Sequence, residues 1–141
     1  MSNKEQQRIE RHIDIREGGK KAIDWLADQC DLSRAELKRA MHQGAVWLTR
    51  GGTKRLRRGS TALKYGDQLH LYYDAEVLAA QPSAAELIAD EGNYSVWYKP
   101  FGMLCQGSKY GDHCTLYRWA ETHLEPERTA FIVHRLDRAT E

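Results

Sequence analysis

Apolar positions along this chain fall into stretches of two kinds, alternating and helical. Residues 10–16 alternate around Ile13 and Ile15, which predicts a short strand closed by Gly18-Gly19. Ile23, Leu26, Ala27 and Cys30 then recur at helical spacing and predict a helix of about three turns. Trp25 lies off that stripe, at the edge of the core or facing a partner. Ser33-Arg34-Ala35-Glu36 has the form of a capping box, so a second helix starts near Arg34. That helix buries Leu37, Ala40 and Met41 and ends at Gly44, a residue suited to a left-handed cap. Arg34 and Lys38 are four apart and share one of its faces, with Arg39 to one side. Residues 45–49 read as a strand, Arg50-Gly51-Gly52 as a turn, and the basic residues 54–58 as a second short strand. Tyr65-Gly66-Asp67 reads as a further turn, and Leu69, Leu71 and Tyr73 alternate in a last strand. The expected order is two helices, then a small antiparallel sheet.

Beyond this the pattern changes. Residues 75–92 are Ala-rich and acidic, with Pro82-Ser83 near the middle, and read as a linker with room for a short helical turn. Residues 94–98 form an aromatic strand that runs into Lys99-Pro100-Phe101-Gly102, where Pro and Gly suit a tight turn. Leu116, Trp119 and Ala120 predict a short helix. A last strand, Phe131-Ile132-Val133, leads into His134-Arg135-Leu136-Asp137-Arg138-Ala139-Thr140.

A chain of 141 residues suits one domain or two small ones. With 41% hydrophobic and 29% charged residues, the composition is that of an ordinary soluble globular protein. No apolar run is long enough to span a membrane, and the N-terminus lacks the apolar core of a secretory signal. The three cysteines, Cys30, Cys105 and Cys114, argue against a disulfide framework and fit a reducing cytoplasm. Cys105, His113, Cys114 and His123 match no standard zinc spacing, so no metal is expected. Charge is more informative. From Leu32 to Gly66 there are nine basic residues and one acid, Glu36, a local charge of +8 in a chain of net charge +1. The remainder therefore carries −7. A basic module on an acidic chain points to a polyanionic partner.

The candidate chemistry lies at the end of the last strand. Asp137 stands between Arg135 and Arg138, which favour its ionised form, and a positioned carboxylate can act as a nucleophile. By residue type alone such a cluster is more often a solvated ion pair. His134-Arg135-Leu136-Asp137-Arg138-Ala139-Thr140 resembles the signature of the RluA-type RNA pseudouridine synthases, and Lys99-Pro100-Phe101-Gly102 resembles the motif that opens their catalytic domain. The resemblance implies that Asp137 is the catalytic nucleophile, that Arg135 lies beside the flipped nucleotide, and that no cofactor is used. Glu141 departs from the family pattern, which continues with a small residue, Gly and an apolar run. The expectation is thus a chain cut off early in its catalytic domain, inactive alone and open to self-association through that unfinished part.

A second resemblance covers roughly residues 10–74. Leu32-Ser33-Arg34, Gly44-Ala45-Val46 and Tyr65-Gly66-Asp67 resemble the S-four-like RNA-binding fold. Thr49-Arg50-Gly51 departs from it, since an Asn-Gly turn is more usual there. That likeness implies that the second helix and the following loop grip RNA phosphates, here through Arg34, Lys38, Arg50, Lys54, Arg55 and Arg57. The expected fold class is α+β: an S-four-like domain over 10–74 (two helices packed on a short antiparallel sheet), a linker over 75–92, and the first part of a mixed α+β synthase domain over 93–141. The expected function is isomerisation of specific uridines in structured RNA, ribosomal RNA ahead of transfer RNA. The alternatives are a non-catalytic RNA- or ribosome-binding module, and a domain whose basic face meets an acidic protein.

Overall fold

The computed structural model describes residues 7–100, 103 and 107–130. In chain order, β1 (Arg8–Asp14), α1 (Ala22–Gln29), α2 (Arg34–His42), β2 (Val46–Arg50), β3 (Gly52–Arg55), β4 (Gln68–Asp74) and α3 (Ala75–Ala79) precede β5 (Glu86–Asp90), β6 (Ser95–Tyr98) and α4 (Leu116–His123). The fold class is α+β, with antiparallel sheets. The described residues divide into two compact units: one holds those up to Ala79 together with Lys109–Gly111, and the other holds the remaining described residues.

In the first unit the strand order is β1-β4-β2-β3. The opening strand therefore belongs to the same sheet as the three that follow the helices. Periodicity shows that β1 is a strand but not that its partner is β4. It pairs Ile13 with Leu69 and His12 with His70. Ala22, Ile23 and Leu26 of α1 and Leu37, Ala40 and Met41 of α2 bury themselves with Val46, Leu48, Leu69 and Leu71 of the sheet. Fully burying one such leucine contributes about 1.5–3 kcal/mol, against about 0–1 kcal/mol for an exposed ion pair. The core, not surface charge, holds this unit together. Trp25 packs at the edge of that core, with the Lys20 ammonium 4.6 Å from its ring centre.

Residues 54–58, expected as a strand, are extended only as far as Arg55. Leu56 N–H still donates to the Val46 carbonyl at 2.9 Å, and the chain then leaves the sheet. Helix α1 has no side-chain cap at its N-terminus, and the departing loop supplies carbonyl acceptors there instead. Thr61 O accepts from Ala22 N–H at 2.9 Å, and Gly59 O accepts from Ile23 N–H at 3.0 Å.

In the second unit, residues 86–90 were expected within the linker but form β5, antiparallel to β6 with a bulge between Leu87 and Ala89. The Ala-rich, acidic surroundings hide Leu87-Ile88 from a compositional reading, while the aromatic strand β6 supplies a partner. Asp90 accepts from Gly92 N–H at 3.0 Å and closes the turn between them. The expected helical turn after the sheet is α3, which closes the first unit. Lys99 is buried, and its Nζ donates to the Met103 carbonyl at 2.9 Å. Helix α4 forms where expected, with Thr115 accepting from Arg118 N–H at 3.3 Å as its cap. The expected strand at Phe131-Ile132-Val133, and the run from His134 to Thr140, lie outside the described residues. Among the described residues no helix is long and apolar enough to cross a membrane.

Candidate nucleic-acid interface

The candidate interface is built on α2, whose two ends are fixed by local sequence. Ser33 Oγ accepts from Glu36 N–H at 3.1 Å and lies 3.1 Å from Glu36 Oε1, so the cap hydroxyl serves both groups. At the other end Ala45 N–H donates to Ala40 O at 3.0 Å and Gly44 N–H to Met41 O at 3.2 Å. These are the paired bonds of a Schellman termination, and Gly44 supplies its left-handed residue at φ +95°. With Leu37, Ala40 and Met41 facing the core, Arg34, Lys38 and His42 line up at four-residue spacing on the exposed side.

Arg57 joins this stripe from the loop after β3. Its guanidinium donates to the His42 carbonyl at 3.0 Å, placing a cation at the negative end of the helix. Arg34 Nη1 lies 2.5 Å from Asp24 Oδ1 of α1. Both partners are solvent-accessible, so this ion pair is weak enough to give way to a phosphate. Thus Arg34, Lys38 and His42 share the exposed face of α2, and Arg57 stands at its C-terminal end.

The other three expected residues are placed differently. Lys54 is exposed on β3, opposite the buried Leu48 and so on the helix side of the sheet. Arg55, one residue on, is opposite Trp47 on the other side, its guanidinium 4.3 Å from the indole centre. Arg50 forks onto Asp67, Nε to Oδ1 at 2.9 Å and Nη2 to Oδ2 at 2.5 Å. Asp67 is buried and also accepts from Lys64 N–H at 2.8 Å. The Arg50 guanidinium holds the Asp67 carboxyl below the ordinary carboxylate range, against the opposing pull of burial, and the Lys64 amide adds to the effect. Arg50 therefore anchors the Tyr65-Gly66-Asp67 turn.

The sheet face away from the helices carries a row of groups that sequence reading missed. Glu10 and His12 of β1, His70 of β4, Thr49 of β2 and Thr53 of β3 form a hydrogen-bonded chain across all four strands. Its links measure 3.1 Å (His12 Nε2 to Glu10), 2.8 Å (His12 Nδ1 to His70 Nδ1), 2.9 Å (His70 Nε2 to Thr49) and 2.7 Å (Thr49 to Thr53). Burial pushes the His70 pKa down, the neighbouring His12 adds to that, and Asp14 opposes it. The signal in sequence was the alternation of His12 with Ile13 and of His70 with Leu69, but the register that brings the two rings together depends on long-range pairing.

Asp137 and Arg135 lie outside the described residues. Among the described residues no group of three or more His, Cys, Asp or Glu side chains is arranged to hold a metal ion. A scan against protein-family models and a search of curated proteins gave no match to this chain.

Proposed function

We propose that the protein is an RNA pseudouridine synthase of the RluA type, with an S-four-like RNA-binding unit ahead of the catalytic one. The observation that carries this reading is the run His134-Arg135-Leu136-Asp137-Arg138-Ala139-Thr140. It follows Lys99-Pro100-Phe101-Gly102 and a module of local charge +8 in the order the resemblance implies. Arg34 and Lys38 on the exposed face of α2, with Arg57 at its C-terminal end, support the RNA-binding half, because clustered exposed cations suit a phosphate backbone.

In the proposed reaction the bond between uracil and ribose breaks, the base turns, and a carbon–carbon bond replaces the carbon–nitrogen one. No electrons or phosphoryl groups enter or leave, so neither a redox nor a nucleotide cofactor is required. Asp137 supplies the carboxylate that attacks the ring or the sugar. The target uridine leaves the helical stack, since its reacting atoms are out of reach inside it. Arg135 fills the vacated space or binds a phosphate through its planar guanidinium. A non-catalytic RNA- or ribosome-binding module is the second reading, favoured by the placement of the cationic stripe entirely within the first unit.

The experiment is pseudouridine detection in RNA treated with protein carrying the whole catalytic domain. Asp137→Asn keeps the side-chain shape and removes its charge, so it should abolish pseudouridine formation and leave RNA affinity nearly unchanged. Arg135→Ala should slow the reaction less completely. An Asn variant that isomerises uridine at the wild-type rate contradicts the mechanism, and joint loss of binding and activity assigns Asp137 a structural role.

A further inference from the structure

The sheet face opposite the helices has a composition that the α2 stripe does not explain. Register sets His12, His70, Trp47 and Arg55 directly abreast, one from each strand in the order β1-β4-β2-β3. Neighbouring strands lie about 4.8 Å apart, so this is a lateral row of three rings ending in a guanidinium. Tyr72 adds a fourth ring beside it, with its centre 5.5 Å from His12 and 6.5 Å from His70, nearly parallel to the latter. Lys109, which belongs to the same unit, accepts from Trp47 Nε1–H through its carbonyl at 3.0 Å and sets its ammonium 4.9 Å from the Tyr72 ring centre. None of these side chains is buried; His12 is exposed and the rings of Trp47, His70 and Tyr72 are half-exposed.

Charge on this face is graded. The carboxylates Glu10, Asp14 and Asp74 sit on β1 and at the end of β4, where Asp74 is paired with Arg8 at 2.8 Å. The opposite margin is β3, and from Gly52 through Arg58 there is no acid but four cations, Lys54, Arg55, Arg57 and Arg58. Alternation along β3 puts Arg55 on the ring-bearing face and Lys54 on the helix side. Arg57 then continues to the end of α2. The cations thus run from one face of the sheet, around its β3 margin, to the α2 stripe.

We propose that this face is a stacking platform for unpaired nucleotides, and that a single RNA strand drapes over β3 with bases on Trp47, His70 and Tyr72 and phosphates on Arg55, Lys54 and Arg57. The proposal rests on the RNA-binding reading above and extends it to a second, single-strand-selective contact. Flat rings accept any base by stacking, with bases taking the places of the Arg55 guanidinium over Trp47 and the Lys109 ammonium over Tyr72 as these cations turn to the backbone. The α2 stripe, by contrast, meets phosphates irrespective of strandedness.

The test uses a labelled oligouridine and a blunt-ended, two-strand RNA duplex in fluorescence-anisotropy titrations across a salt series. Trp47→Leu should weaken oligouridine binding about tenfold without changing the salt slope and without affecting the duplex. Trp47→Phe, which keeps a ring, should stay close to wild type. Arg34→Ala with Lys38→Ala should weaken both ligands and flatten the slope. Photo-crosslinking of wild-type protein to 4-thiouridine oligomers supplies a readout independent of variant folding, with adducts expected on peptides containing Trp47 or Tyr72. Crosslinks restricted to α2, or wild-type oligouridine affinity in Trp47→Leu, overturn the platform and leave RNA binding standing. A wild-type protein that binds neither RNA overturns the underlying reading as well.

Discussion

Asp67 shows how a single carboxylate organises one end of the sheet. It is buried, forked by Arg50 and bonded to the Lys64 amide, so removing its charge leaves donors without an acceptor. Asp67→Asn should cost about 1–3 kcal/mol in a urea titration. Because its folded-state pKa is lowered from 3.8, its contribution is present above that value and is lost as pH falls through the folded-state one. The variant should therefore lose part of the acid limb of the stability curve. His70 acts in the opposite range. Its folded-state pKa is lowered from 6.5, so below 6.5 the unfolded chain takes up the proton more readily and stability falls as pH falls. His70→Gln keeps a hydrogen-bonding side chain beside Thr49 and removes the titration. Urea midpoints measured between pH 5 and pH 8 should be flatter for this variant (a range set by the ordinary His value of about 6.5). An unchanged slope would rule out His70 as the responsible group.

At the scale of elements, α2 and the loop that closes on α1 are fixed by small residues. Gly44 has φ +95°, so Gly44→Ala should cost about 1–2 kcal/mol. A Cβ at Gly59 would lie 3.1 Å from the Ile23 Cβ, so Gly59→Ala should cost about 1–3 kcal/mol of overpacking, read as a lowered urea midpoint. Features of this kind differ in how far sequence reveals them. Ser33 and Gly44 announce the ends of α2 because capping is a local transaction between residues three to five apart. The apolar stripes of α1, α2 and β4 are legible for the same reason. By contrast, the Arg50–Asp67 fork joins two turns, and the His12–His70 contact joins the first strand to the fourth. Both depend on register across the sheet. Arg50 looked like one more cation of a basic run, yet its partner makes it an anchor. Strand β5 was hidden by the acidic, Ala-rich residues around Leu87-Ile88, which carry no alternation long enough to be read.

At the scale of the whole molecule, the proposed function assigns RNA binding and chemistry to different parts of the chain. The +8 stretch from Leu32 to Gly66 lies within the first unit, which closes its own hydrophobic core, and the run containing Asp137 follows it by about 70 residues in sequence. Binding and chemistry should accordingly separate: substitutions on α2 should change affinity without altering the turnover of bound RNA, and Asp137→Asn should do the reverse. The α2 face is the contact that the synthase reading and the single-strand platform both presuppose. The most direct test is the salt dependence of RNA affinity for wild type and for the double variant Arg34→Ala, Lys38→Ala. Loss of two phosphate contacts should weaken binding to RNAs of unrelated sequence alike and reduce the slope of log affinity against log salt by about one unit per contact. Equal affinities and equal slopes for the two proteins would contradict the assignment of this face.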